Sequence, residues 1–197
     1  IEGIGDKHIP WIHNVRNTDM VMGIDDTAVV RLARLFNEPA GRFLLIRKGV
    51  PETLVAQLDL LGFSGICNVI SCIKFARYYE LGPNDVVFTV LTDSMDLYGS
   101  RLAEMRAAEG DYDDRCAAAD HARYLEGITT DHLQELTHPE RRRVHNLKYF
   151  TWVEQQGRSH EELTAQWCDP QYWVRVQKQA AEIDCLIEEF NARARAN

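Results

Sequence analysis

Gly82-Pro83, then Asp85, then the unbroken run Val86-Val87-Phe88-Thr89-Val90-Leu91 constrain this chain more than any other stretch. Gly can take a left-handed cap and Pro cannot continue a helix, so a preceding helix must stop there. A continuous β-branched and apolar run is the pattern of a strand buried on both faces. It ends in the polar residues Thr92-Asp93-Ser94. Met20-Val21-Met22-Gly23-Ile24 is a second short apolar stretch bounded by polar residues, and it reads as another buried strand. Helical patterns lie between the two. This order predicts an α/β layer with parallel strands. In such sheets ligands sit at the carboxyl ends of the strands, which is where Thr92-Asp93-Ser94 falls.

The intervening helices are well signalled. Asp25 and Asp26 are cap candidates. Val29, Leu32, Ala33 and Phe36 follow at helical spacing, and the helix must end before Pro39. Short helices are expected over 42–48 and 52–58. After the turn Leu60-Leu61-Gly62-Phe63-Ser64-Gly65, the residues Ile66, Val69, Ile70 and Ile73 stripe a helix running to about Leu81. From Leu102 onward no strand is expected. Pro139 begins a helix holding Val144, Leu147, Lys148 and Trp152. Ser159-His160-Glu161-Glu162 is a capping-box pattern. Asp169-Pro170 opens a long helix with Val176, Ala180, Ile183, Ile187 and Phe190 on one face. The boundary is therefore set at 101/102: an α/β part over 1–101, and an all-helical extension over 102–197.

Of the 197 residues, 45% are hydrophobic and 26% charged, an ordinary globular balance. No apolar run approaches the ~18 residues of a membrane span. The net charge of −8 argues against nucleic acid as the main partner. Cys67, Cys72, Cys116, Cys168 and Cys185 are odd in number and form no CxxC pair, which reads as reduced thiols in a cytoplasmic protein. No HExxH or paired-cysteine spacing supports a metal, so His121, His132, His138 and His145 are not read as ligands.

Three segments, in order and at matching spacing, carry a resemblance. They are Ile1-Glu2-Gly3-Ile4-Gly5-Asp6-Lys7-His8-Ile9-Pro10, Gly62-Phe63-Ser64-Gly65-Ile66-Cys67-Asn68, and Val90-Leu91-Thr92-Asp93-Ser94. Together they resemble the C-terminal half of fold-type II pyridoxal-phosphate enzymes, the cysteine synthase and cystathionine β-synthase family. Each motif is weak alone; three in order, across about half of the chain, are more specific. The stretch His145-Asn146-Leu147-Lys148-Tyr149-Phe150-Thr151-Trp152 lies beyond that core. It is similar to the tail of a longer subgroup of pyridoxal-phosphate-dependent β-subunit-like proteins.

The resemblance implies pyridoxal 5'-phosphate as cofactor, with Ser94, Gly3 and Gly5 as its contacts. The Ser94 hydroxyl would meet the pyridine nitrogen. A neutral partner leaves that nitrogen unprotonated, which favours β-elimination and β-replacement. Gly3 and Gly5 would let backbone lie against cofactor and substrate. Asp6, Lys7 and His8 would line the substrate mouth. Thr92 stands where the family has proline. The family's Schiff-base lysine belongs upstream of Ile1, so none of Lys7, Lys48, Lys74, Lys148 and Lys178 is assigned as catalytic. The chain is therefore expected to be the C-terminal portion of an enzyme acting on an amino acid such as serine or O-acetylserine, homodimeric and inactive alone. The rival readings are a non-catalytic binding or regulatory module derived from the fold, and a pyridoxal-phosphate-dependent deaminase or desulfhydrase. On the residues alone Ser94 reads as a turn or cap residue, Ser64 and Gly65 as a helix start, and Asn68 as a packing residue.

Overall fold

The Asp25 side chain accepts the Thr27 amide and opens helix α1, Asp26–Asn37. The expected stripe points inward: Val29, Leu32, Ala33 and Phe36 are all buried, and Leu35 is buried with them. Pro39 sits at the first turn of α2, Pro39–Arg47, where its missing N–H costs nothing. The computed structural model describes residues 8–195, and they are mostly helical. The remaining helices are α3 (Glu52–Val55), α4 (Phe63–Tyr78), α5 (Gly99–Glu109), α6 (Asp114–Asp120), α7 (His138–Asn146), α8 (His160–Cys168) and α9 (Tyr172–Arg195). Wide π-turns over His121–Glu126 and Tyr149–Gln155 follow α6 and α7. No helix among the described residues is long and apolar enough to cross a membrane.

The parallel α/β layer is not formed. Two short strands, β1 (Met20–Met22) and β2 (Leu133–Glu135), pair antiparallel with each other. β1 coincides with the expected first strand, but it is a half-exposed ribbon rather than a buried strand. β2 lies in the part expected to be all-helical. The run Val86–Leu91 takes no strand conformation, and Val86 and Phe88 are 92% and 88% exposed. The physical reason is that β propensity measures packing against neighbouring strands. Among the described residues no strand pairs with this run.

The chain divides into two compact units. The described part of the first spans residues 22–134. Its core joins the buried face of α1 to Leu45, Val55, Phe63, Ile66, Ile70, Met95, Met105 and Ala117. Within it Glu38 is buried and accepts two bonds of 2.9 Å from Arg106, while Arg34, also buried, donates to Glu109 at 2.9 Å. Gly41 lets α2 turn close under α1, since a Cβ there would collide with the Leu35 carbonyl.

The described part of the second unit comprises residues 8–21 and 135–195. Its interior is built on Trp11, Val15, Leu136, His145, Lys148, Leu163 and Gln166. The Ser159 side chain caps α8 by accepting the Glu162 amide, and Thr137 with Glu140 forms a capping box on α7. α9 starts at Tyr172, not at Pro170, and none of its side chains is buried.

Candidate functional site

The start of α4 carries no side-chain cap, yet its first turn is anchored. The Gly62 amide donates to the Asp93 carbonyl at 3.0 Å. Farther along α4, the Asn68 side-chain amide donates to the Val90 carbonyl at 2.8 Å. These two bonds seat the extended segment 90–94 along the first turns of the helix. Gly62 is needed for close approach, because its φ of −68° is open to any residue. A Cβ there would overlap the Asp93 carboxylate and lie 3.1 Å from the Asp93 carbonyl oxygen. Gly65 is not so constrained: its Cβ would meet Leu61 and Leu91 at an ordinary 3.5 Å.

The polar loop then turns into a short 3-10 segment, Met95–Tyr98, anchored by buried Met95. The Tyr98 ring stands edge-on to Phe63 at 4.7 Å, and its hydroxyl donates to Asp93 Oδ2. That bond, followed by desolvation, raises the Tyr98 pKa, so the phenol stays protonated and holds its carboxylate partner. Thr92 Oγ1 donates to the other Asp93 oxygen at 3.4 Å. Asp93 is thereby held firmly on the Tyr98 side and only loosely on the Thr92 side. Ser94 is half-buried, and its hydroxyl makes one weak local bond, 3.2 Å to Asp96 Oδ2. A hydroxyl carries one proton to donate and can rotate it toward a better acceptor.

Two of the three resembling segments therefore meet, through Gly62–Asp93 and Asn68–Val90. Gly3, Gly5, Asp6 and Lys7 lie outside the described residues; His8 is the first described residue and is half-buried. Asn68, read as packing from the sequence, is one of the two anchors. Only its place one turn into a helix facing an apolar run could have signalled that. Beside the junction a shallow groove is lined by Met22, Asn68, Ser71, Cys72, Phe75 and Val86–Thr89. Cys67 faces a different fate from an activated thiol, since burial pushes its pKa up, with Asp26 adding to the effect.

Three of the five lysines are otherwise engaged. Lys48 pairs with Glu126 at 3.2 Å, Lys74 with Asp131 at 2.7 Å, and Lys148 is wholly buried. Among the described residues no three His, Cys, Asp or Glu side chains gather as a metal site. His121 faces Glu126 at 3.5 Å, and His145 bonds the Leu163 carbonyl at 3.0 Å. No family model, no curated protein and no solved structure matches this chain.

Proposed function

We propose that this chain is part of a pyridoxal-phosphate-dependent enzyme of the cysteine synthase-like kind, catalysing β-elimination or β-replacement on an amino acid. One observation carries the reading. The glycine turn Gly62–Asn68 and the segment Val90–Ser94, which resemble that family independently, are hydrogen-bonded to each other at 3.0 and 2.8 Å. A chance resemblance places no demand on two segments to meet.

The described residues suit one contact of the cofactor. Ser94 offers a half-buried neutral hydroxyl held by one local 3.2 Å bond, while the acidic group beside it, Asp93, is held by the Tyr98 hydroxyl. A carboxylate facing the pyridine nitrogen would draw a proton onto it; a serine hydroxyl donates a hydrogen bond and leaves it unprotonated. When bound, the cofactor supplies the electron sink for carbon-acid chemistry. Ser94 then orients the ring and keeps its nitrogen neutral, and Gly62 keeps the Asp93 loop against α4 so that Ser94 is presented in one place. Gly3 and Gly5 would form the wall against cofactor and substrate, and Asp6, Lys7 and His8 the mouth, with the Schiff-base lysine on the upstream part of the polypeptide. A homodimer and a cytoplasmic location belong to the same reading. The uncovered apolar positions Ile183, Leu186, Ile187 and Phe190 on α9 support the first, and the free thiols support the second.

The test is the parent polypeptide encoded by the continuous reading frame, treated with borohydride and mapped by mass spectrometry. A phosphopyridoxyl group on a lysine upstream of Ile1 is expected. Ser94→Asp should protonate the pyridine nitrogen and shift the cofactor absorbance, with β-elimination falling at least about tenfold; Ser94→Thr should leave the spectrum unchanged. A parent polypeptide that carries no pyridoxal phosphate would sink the proposal.

A further inference from the structure

The loop that follows the π-turn His121–Glu126 is fastened to α4 at two points. Arg77 donates to the Ile128 and Glu126 carbonyls, and Lys74, one turn earlier, donates to Asp131 Oδ1 at 2.7 Å. His132 then takes a positive φ of 52°, and its carbonyl accepts the Gly23 amide at 2.8 Å. These bonds frame a cleft of about 130 Å³ lined by the segment 23–28 that opens α1, by α4 and by the loop 127–132, all within the first unit. That is room for a small molecule, below the roughly 300–1,000 Å³ of a drug-sized site.

The polar groups of this lining keep bonding capacity. Lys74 is 5% exposed, and of its three ammonium protons only one is taken by the described residues, at Asp131. A buried donor without an acceptor is costly, so the remaining protons favour any ligand that can accept them. Arg123 rests on the Tyr124 ring at 5.1 Å and has no ion-pair or hydrogen-bond partner among the described residues. On the acidic side, Asp131 Oδ1 accepts from both Lys74 and Thr129, at 2.7 and 2.5 Å. Its Oδ2 lies 3.6 Å from His132 Nε2, too far for a hydrogen bond. Hydrogen bonding from Lys74, then from Thr129, holds the Asp131 carboxyl down at about 2, so it stays charged. Asp25 commits Oδ1 to the Thr27 amide. One small cleft thus carries both signs of charge. Ile24, Ala28, Ile70 and Ile128 supply an apolar wall.

We propose that this cleft binds a small free α-amino acid: its carboxylate accepts from Lys74 and Arg123, its ammonium donates to Asp25 and Asp131, and its side chain lies against the isoleucines. An ion of one sign satisfies one set of groups and meets a like charge on the other. Phosphate is disfavoured further, since its charge would sit beside two carboxylates. A zwitterion is neutral as a whole and answers both sets. The volume restricts the side chain to a small one, such as that of alanine or serine. None of the lining residues is assigned to the cofactor, so the proposal does not rest on the pyridoxal-phosphate reading.

Isoleucine-methyl NMR of this chain, titrated with L-alanine and without cofactor, tests it. Saturable shifts at Ile24, Ile70 and Ile128 are expected, with a Kd of about 1 mM or tighter. Propionate lacks the ammonium and ethylamine lacks the carboxylate, and each should bind about tenfold more weakly or worse. Arg123 is exposed, so Arg123→Gln should leave the fold intact and weaken L-alanine by about tenfold. Lys74→Met should abolish binding. Where that variant fails to fold, Asp131→Asn keeps an acceptor for Lys74 and should weaken L-alanine while propionate binds no worse. Either half-ligand binding as tightly as L-alanine overturns the amino-acid assignment. L-Alanine binding that Arg123→Gln and Asp131→Asn leave unchanged overturns the site, as does the absence of shifts at these methyls up to about 50 mM, far above that Kd. A parent polypeptide without cofactor overturns the functional reading alone and leaves this titration untouched.

Discussion

Burying one uncompensated ammonium has a consequence at the scale of the residue. Lys148 releases its proton at about 8 in the folded protein and at 10.5 when exposed. Between those values the unfolded chain binds more protons, so stability rises with pH in that window. The difference corresponds to about 3 kcal/mol, most of it gained by pH 10. All four tryptophans, Trp11, Trp152, Trp167 and Trp173, lie in the second unit, so tryptophan fluorescence reports that unit alone. The urea midpoint followed by fluorescence should climb from pH 8 to pH 10, and Lys148→Met should flatten the profile. A midpoint that falls over this range contradicts a lowered Lys148. The sequence placed Val144, Leu147, Lys148 and Trp152 in one helix, yet it did not tell Leu147 from Lys148 as the buried member. Leu147 is 44% exposed and Lys148 is 0% exposed. The switch to a π-turn after α7 and the row of carbonyls at 11 and 13 decide the matter, and neither is written in local periodicity.

At the scale of elements, caps and stops were legible because they are local. Asp25, Pro39 and Ser159 act within one turn of themselves, so the sequence carries the whole interaction. The crossing of α1 and α2 is different. Gly41 looks like an ordinary helix glycine, worth under about 1 kcal/mol against alanine. In the fold its missing Cβ makes room for the Leu35 carbonyl. Gly41→Ala should therefore destabilise the first unit by about 2–4 kcal/mol, read by circular dichroism at helical wavelengths. The fluorescence transition of the second unit serves as the control. A change below about 0.5 kcal/mol would mean that α2 tilts away freely. Gly62 works by the same principle at the candidate site: the run Gly62-Phe63-Ser64-Gly65 marked the turn, and only the Asp93 approach explains why the first glycine matters and Gly65 does not.

For the whole molecule, the apolar positions Ile183, Leu186, Ile187 and Phe190 of α9 are all exposed, Phe190 at 71%. They add nothing to the stability of a single chain. A chain ending at Gln179 should unfold within about 0.5 kcal/mol of the full one by tryptophan fluorescence. Under the homodimer reading, sedimentation should show that association is lost with those residues; a truncated chain that dimerises with undiminished affinity removes α9 from the interface. What the sequence by itself determined is the set of local events: helix starts and stops, the inward stripe of α1, and the turn before α4. It also marked, by resemblance, two segments that the fold joins through Gly62–Asp93 and Asn68–Val90. Tertiary structure decided the rest. Val86–Leu91 has the composition of a strand, but a strand exists only when another pairs with it, and the pairing that forms is Met20–Met22 with Leu133–Glu135. Likewise a lysine is buried only where distant carbonyls converge on it. Both depend on contacts more than a hundred residues apart along the chain, and no window of sequence contains them.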